Sequence, residues 1–206
     1  MDISISLRLI KPSQAFYLVA KLSKMPSRTA QIRFVSSHPE VYEPCDDSFA
    51  LVDALLADRT NLLEHRPTLS MELEANGAYY IATDINPHAV KVTRETLDVH
   101  GVDAPLITTD IASGLARRLA GLVDVIIVNP PYVPTPAEEV GRGGIATAWA
   151  GGENGRSVID KILPIADILL SDKGWLSMVT LTANNSSDIC RQMDKRDIVR
   201  ARSDKI

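Results

Sequence analysis

The segment Asp124-Val-Ile-Ile-Val-Asn-Pro-Pro-Tyr132 decides the fold of this chain. Its β-branched run, from Val123 to Val128, predicts a fully buried strand of a parallel sheet. The run is followed at once by Asn129, Pro130, Pro131 and Tyr132. Ligands of open α/β sheets bind just beyond the carboxyl ends of the strands, so we expect these four residues to form a functional site. Asp124 lies at the other end of the run, where we expect a turn residue with no role in ligand binding.

The four residues after the strand have the chemistry to hold a planar amide or amine. Each proline fixes φ at about −65° and lacks an N–H, so the loop is stiff and its carbonyl groups face outward. Asn129 adds an amide carbonyl and Tyr132 adds a flat ring. Two acceptors can take the hydrogens of an –NH2 group while the ring stacks on its face. The alternative is a proline-rich turn that only terminates the strand.

An Asn-Pro-Pro-Tyr sequence after a strand resembles the motif of class I, S-adenosylmethionine-dependent methyltransferases that act on amide or exocyclic amino nitrogens. From Val41 to Asn185 the chain resembles the eukaryotic and archaeal branch of HemK-type release-factor glutamine methyltransferases. The resemblance implies a Rossmann-like α/β sheet, S-adenosyl-L-methionine as cofactor and a translation release factor as protein substrate. A small zinc-binding activator subunit is implied by analogy only.

The resemblance also assigns roles to the motif residues. Asn129 and the carbonyl of Pro130 would hold the substrate amide, and Tyr132 would stack on it, which makes these three the catalytic residues. Pro131 completes the substrate-binding loop. Asn129 would contact the cofactor as well.

Ser48 and Asp84 are candidate cofactor contacts. Ser48 matches a hydroxyl residue that contacts the cofactor in the family's Tyr-Glu-Pro…Asp-Ser/Thr-Phe segment, although a serine is also common where a helix begins. Asp84 follows a predicted strand, Tyr79 to Thr83, and an acid at that point is the usual partner of ribose hydroxyls. The next helix, Ala89 to His100, has its own cap in Asn86, with Pro87 after it and Gly101 at its end, so Asp84 is available for a ligand.

Asp110 and Ile111 are two further candidates, after a strand that begins at Pro105. In the family this acid hydrogen-bonds the adenine amino group and the next residue packs on the ring. The alternative for Asp110 is a capping role in the following turn. Downstream, Val158 to Leu170 predicts an amphipathic helix and Gly174 to Thr180 a further strand.

Two parts of the family pattern are missing. Glu72 matches the acid after the family's first strand, here Leu69 to Leu73, but no glycine-rich loop or crossover helix follows it. Parallel neighbours need a crossover of about a dozen residues, and only five lie between Leu73 and Tyr79. We therefore expect Leu69 to Leu73 to pair antiparallel, leave the sheet or form a loop. The second missing part is the C-terminal hairpin, because Asp194 to Ile206 is charged and lacks strand alternation.

Three functions remain open. The first is methyl transfer to a glutamine side-chain amide, with cofactor binding impaired by the missing loop. The second is a non-catalytic, splice-variant-like or truncated methyltransferase homologue. The third is N6-adenine methylation of DNA, which shares the motif, but a net charge of −4 offers no basic surface for nucleic acid.

Composition sets the remaining bounds. The 206 residues suit one domain, residues 25–206, preceded by a basic extension, residues 1–24, that we expect to be disordered. An organellar transit peptide is the alternative for that extension. Cys45 and Cys190 give no disulfide framework and suit the cytoplasm or nucleus. The four histidines show no metal-ligand spacing, and no apolar run approaches the roughly 20 residues of a membrane span.

Overall fold

The computed structural model describes residues 3–5, 38–65, 69–71 and 79–203. The strands are β1 (Ile3–Ile5), β2 (Leu69–Met71), β3 (Tyr79–Tyr80), β4 (Ala82–Asp84), β5 (Leu106–Thr108), β6 (Val123–Val128) and β7 (Leu170–Leu181). The α-helices are α1 (Asp46–Ala57), α2 (Arg59–His65), α3 (Pro87–His100), α4 (Ile159–Leu169) and α5 (Ser186–Ser203). Short 3-10 helices span Ala137–Glu139, Ile145–Ala148, Glu153–Gly155 and Thr182–Asn184.

Strand β6 lies at the centre of a five-stranded sheet of order β1-β7-β6-β2-β3. It pairs in parallel with β7, placing Val125 opposite Trp175, and in parallel with β2, placing Val125 opposite Ser70. Five of its six residues are buried, which confirms the predicted buried parallel strand. The result is a mixed α/β fold with small parallel sheets, as the sequence predicts at this level.

The remaining two strands, β4 and β5, form a parallel pair of their own, with Asp84 opposite Thr108. One residue, Ile81, separates β3 from β4, so a single extended segment contributes to both sheets. Because β3, β2 and β6 are mutually parallel and β4 continues β3, the carboxyl ends of β4, β5 and β6 point to the same edge.

The expected behaviour of Leu69 to Leu73 is wrong. Strand β2 stays in the sheet and pairs in parallel with β3, with Leu69 opposite Tyr79 and Ser70 opposite Tyr80. The minimum crossover length applies to strands of ordinary length that are connected over a packed helix. Here the paired strands are two and three residues long. The distance from the end of β2 back to the start of β3, measured along the strands, is therefore only about 7 Å. A connection of the length of residues 72–78 can span that distance.

Helices pack on both faces of the five-stranded sheet. Successive side chains of β6 and β7 point to opposite faces, so each face carries apolar residues. Ile126, Leu176 and Met178 point to one face. There they meet apolar residues of α4 and α5, among them Ile159, Ile162, Leu163, Ala166, Leu169, Ile189 and Met193. On the other face Val125, Ile127, Trp175 and Val179 pack with Leu51 and Leu62 of α1 and α2.

The buried face of α1 is not the face that carries Phe49, Val52 and Leu56. Phe49, Val52 and Leu56 are 48%, 51% and 48% exposed, whereas Asp47 and Leu51 are buried. Residues four apart lie on one helix face, so Asp47 and Leu51 form a single inward stripe. An interpretation from hydrophobic spacing alone misses this, because the stripe begins with a carboxylate.

Local signals at α3 are confirmed. The Asn86 side chain accepts a hydrogen bond from the N–H of His88 at 2.9 Å, Pro87 is the first helical residue, and Gly101 ends the helix with φ +66°. The expected turn role of Asp124 is wrong, although its position at the amino end of the strand is right. Asp124 lies inside β6, is buried, and accepts a hydrogen bond from the Ser171 hydroxyl at 2.7 Å.

The ends of the chain are described in part. Strand β1 pairs antiparallel with β7, with Ile3 opposite Leu181. The domain boundary at residue 24 stays a prediction, because residues 6–37 lie outside the described residues. At the other end, α5 begins at Ser186 and continues to Ser203. None of the helices in the described ranges is long and apolar enough to cross a membrane.

Two of the four isoleucines of α4 test the assignment of its buried face. Ile162 is 5% exposed and Ile168 is 43% exposed on the same helix. We expect Ile162→Ala to lower the free energy of unfolding by about 2–5 kcal/mol, because it leaves a cavity in the core. The matched control, Ile168→Ala, should stay within about 0.5 kcal/mol. Urea unfolding measures both, and equal losses would contradict the packing of α4.

Candidate active site

The motif loop begins where β6 ends and is held in one conformation from both sides. Asn129 is exposed, Pro130 is buried, and Tyr132 is half-buried. The backbone continues as an isolated parallel bridge between Val133 and Ala150. The loop therefore leaves the sheet along a path fixed by backbone hydrogen bonds, as well as by the two prolines.

A buried carboxylate from α1 holds the loop on one side. Asp47 is 8% exposed. Its Oδ2 accepts a hydrogen bond from the Tyr132 hydroxyl at 2.6 Å and another from Asn129 Nδ2 at 3.1 Å. Its Oδ1 accepts from Cys45 Sγ at 2.8 Å and from the Ser48 N–H at 2.6 Å. The Ser48 hydroxyl also donates to Oδ1, at 3.2 Å. Five donors therefore surround one carboxyl group, which compensates for removing its charge from water.

The charge states in this cluster follow from the contacts. Burial alone would raise the pKa of Asp47, but the hydrogen bonds from Cys45, Tyr132, Asn129 and Ser48 outweigh it and lower the pKa to about 2. Burial first, and then the hydrogen bond and charge of Asp47, raise the pKa of Tyr132 well above its usual range. At neutral pH the pair is thus a carboxylate accepting from a neutral phenol.

Sequence reasoning missed this role of Asp47. Asp47 lies in the first turn of α1, where its charge complements the helix dipole. Its partners, however, are 82 and 85 residues away in the chain. The available signal was its position beside Ser48 in the segment that resembles the family's Tyr-Glu-Pro…Asp-Ser/Thr-Phe sequence.

A glycine-dense loop holds the motif on the other side. A Cβ added at Gly151 would lie 2.8 Å from the carbonyl oxygen of Pro131, and one at Gly155 would overlap the carbonyl of Tyr132. Asn184, which is fully buried, donates through Nδ2 to the Tyr132 carbonyl at 2.9 Å and to the Asn154 carbonyl at 2.7 Å. The glycines are therefore present because the two backbones touch.

Asp84 and Asp110 lie at the carboxyl ends of β4 and β5, which point the same way as the carboxyl end of β6. Asp84 ends β4, is exposed, and accepts the N–H of Asn86 at 2.7 Å through its side chain. Asp110 follows β5 and is exposed, and its carbonyl accepts the N–H of Ser113 at 3.0 Å. Thr109 donates its N–H to the carbonyl of Asp84 at 2.9 Å, which keeps the two strand ends together. The binding roles of both acids stay predictions.

Three further candidate cofactor residues are Ile111, Ser48 and Glu72. Ile111 has φ +54°, which is unusual and strained for a β-branched residue. Such strain occurs at functional sites more often than elsewhere. Ser48 donates its N–H to Asp47, and its hydroxyl lies 3.2 Å from Oδ1 of the same residue. Glu72 lies outside the described residues. Within the described ranges, no group of three or more histidine, cysteine or acidic residues could hold a metal ion.

Two glycines test the contact behind the motif. Gly155 and Gly143 have φ values of +66° and +82°, but only Gly155 would place a new Cβ against other atoms. Gly143→Ala should cost about 1–2 kcal/mol, because alanine disfavours positive φ. Gly155→Ala should cost about 2–5 kcal/mol, because overpacking adds to that strain. The two variants are compared by urea unfolding, and equal costs would show that the loops do not touch.

Comparison with known proteins gives this site its family. No protein-family model matches the chain. It is 41% identical over 173 residues to methyltransferase HEMK2 of Mus musculus, covering 77% of this chain and 80% of the mouse protein. It is 32% identical over 193 residues to the eRF1 methyltransferase catalytic subunit mtq2 of Schizosaccharomyces pombe, covering 81% and 83%.

An archaeal relative extends the comparison. A putative protein N5-glutamine methyltransferase of Methanocaldococcus jannaschii is 34% identical over 131 residues, covering 61% of this chain and 64% of the archaeal protein. The mouse and fission yeast relatives exceed 30% identity, and this chain covers most of the length of both. The chain belongs to the HemK-type methyltransferase family.

Proposed function

We propose that this chain transfers a methyl group from S-adenosylmethionine to the side-chain amide nitrogen of a glutamine in a translation release factor. The fission yeast relative is named an eRF1 methyltransferase and the archaeal relative a putative protein N5-glutamine methyltransferase. The observation that carries the proposal is the geometry of the motif. Asn129 and Tyr132 follow a buried strand, and one buried carboxylate holds both side chains.

Each motif residue has a distinct task in this proposal. Asn129 Oδ1 and the carbonyl of Pro130 accept the two hydrogens of the substrate –NH2 group, which orients its nitrogen lone pair. The ring of Tyr132 covers one face of the planar amide and excludes water. S-adenosylmethionine, when bound, supplies a methyl group on a positively charged sulfur. Because that group is already reactive, the protein contributes mainly by positioning the substrate, and a strong base is unnecessary.

The described residues offer a fitting set of cofactor partners on the nucleoside side. Asp84 and Asp110 are exposed carboxylates at adjacent strand ends, suited to ribose hydroxyls and to the adenine amino group. Ile111 would pack on the adenine ring, and Ser48 would contribute a further contact. Glu72, which lies outside the described residues, is proposed as a contact from the family pattern alone. The fission yeast relative is named a catalytic subunit. We propose that this chain is likewise a catalytic subunit and works with a small activator protein.

Asn129 and Tyr132 test the proposed chemistry. Asn129→Ala should abolish methylation of a release factor, because it removes an acceptor for the substrate amide. It should also lower the free energy of unfolding by about 1.5–3 kcal/mol, because Asp47 loses one of its donors. Tyr132→Phe should retain more activity than Tyr132→Ala, because the ring still stacks. Mass spectrometry of the release factor locates the methyl group. An active Asn129→Ala variant would rule out the mechanism.

A second candidate function, a methyltransferase homologue that does not catalyse, is favoured by the short connection between β2 and β3. Only residues 72–78 lie between these strands. The family's glycine-rich loop and helix would present backbone N–H groups to the carboxylate of S-adenosylmethionine. We propose that their loss impairs cofactor binding. DNA methylation is the weaker alternative, since the net charge of −4 disfavours binding to phosphates.

Calorimetric titration with S-adenosylmethionine tests the cofactor proposal. Each lost hydrogen bond to a charged group is worth about 1.5–3 kcal/mol, so losing two weakens binding by a factor of about 10² to 10⁴. Inserting a glycine-rich loop and helix of family length between Glu72 and Ala78 should restore the lost affinity for S-adenosylmethionine. A flexible glycine–serine insert of equal length is the control and should not restore it. Micromolar binding by the unaltered chain would contradict the proposal.

A further inference from the structure

We propose that Asp47 is a positioning residue that turns the amide oxygen of Asn129 toward the substrate, so that the site selects an amide –NH2 group over a carboxylate. The inference rests on the proposed function, because it concerns the substrate side of the same site. Asp47 touches neither cofactor nor substrate in this scheme. It acts only through Asn129 and Tyr132.

The orientation of the Asn129 amide follows from the chemistry of its neighbour. An ionised carboxylate can only accept hydrogen bonds, whereas a side-chain amide donates from nitrogen and accepts at oxygen. Asn129 therefore meets Asp47 Oδ2 through Nδ2, at 3.1 Å. Its Oδ1 is on the opposite branch of the amide and, among the described residues, no hydrogen bond occupies it. That oxygen is the acceptor that the proposed mechanism requires.

The hydrogen bond to Asp47 strongly favours this orientation of the Asn129 amide. Turning the amide over would place its oxygen against the carboxylate and lose a charge-assisted hydrogen bond. A bond to a charged group favours one orientation by a factor of about 10 to 150. Asp47 is buried and keeps four other donors, so it stays in place when Asn129 moves.

Tyr132 is tied to the same oxygen. Its hydroxyl donates to Asp47 Oδ2 at 2.6 Å, so one atom sets the positions of the amide acceptor and of the stacking ring. The acceptor and the ring then face a planar group from two directions. A substrate amide offers two N–H donors to such a site, whereas a carboxylate offers none and adds a charge near Asp47. The cluster thus discriminates by hydrogen-bond polarity.

Nuclear magnetic resonance of the full chain tests the orientation without any need for activity. In the wild type, the Asn129 side-chain –NH2 signals, identified by their loss in Asn129→Ala, should exchange with solvent at least about tenfold more slowly than in Asp47→Asn. The matched control is Asp46→Asn, which removes a charge from the same turn without touching the cluster and should leave the signals unchanged. Identical exchange in wild type and Asp47→Asn would overturn the proposal.

A second variant keeps the test decisive if Asp47→Asn does not fold. Asn129→Asp would set two carboxylates against each other, and one carboxyl group of the pair should then titrate with a pKa above the usual range of an aspartate. A carboxyl carbon titration of both side chains measures this rise. Two carboxyl groups that both titrate within or below the usual range would show that the side chains are not in contact, which overturns the proposal.

Selectivity is measured as the binding affinity for two small probes, N-acetylglutamine N-methylamide and N-acetylglutamate N-methylamide, which differ only in the side-chain amide or carboxylate. The wild type should bind the glutamine probe at least about tenfold more tightly, and Asp47→Asn should reduce that preference to below about threefold, while Asp46→Asn keeps it. An equal preference in Asp47→Asn and wild type would overturn the selectivity claim. If the preference holds but no release factor is methylated, the proposed function fails and the role of Asp47 stands.

Discussion

The buried carboxylate of Asp47 is the constraint on which the rest of the site depends. A charge taken out of water is costly unless hydrogen-bond donors surround it, and removing one donor leaves a large penalty. Here the donors come from the first turn of α1 and from the loop after β6. The helix and the loop must therefore meet in one register, and Leu51, one turn further along α1, packs on the sheet in that register.

The second constraint acts from behind the loop. Asn184 and the close approach of Gly155 fix the backbone of Tyr132, while Asp47 fixes its hydroxyl. Side chain and backbone are thus held by different elements, and two prolines stiffen the segment between β6 and the ring. Such double support keeps donors and acceptors in place before the substrate arrives. That arrangement is how positioning lowers a reaction barrier.

What could be predicted from sequence depends on how local the cause is. The helix α3 was predictable because its cap, its proline and its terminal glycine are all within or next to it. The strand β6 was predictable because a short β-branched run that stops at two prolines is typical of a buried strand. Asp47 was not, because its partners are more than 80 residues away. The parallel pairing of β2 with β3 was missed because strand length, which sets the crossover distance, is itself a product of tertiary packing.

The two halves of the site rest on different parts of the chain, and this separates motif geometry from catalytic competence. The substrate side is built from α1, β6 and the segments that contain Gly155 and Asn184. These segments contact one another around Tyr132. In the proposed function, the cofactor side depends on the ends of β4 and β5 and on residues 72–78, after β2. A change in that short connection would then alter affinity for the cofactor without removing any hydrogen bond of the Asp47 cluster. The substrate side can therefore stay ordered where cofactor binding is weak, so the order of the Asp47 cluster and the affinity for the cofactor must each be measured by its own experiment.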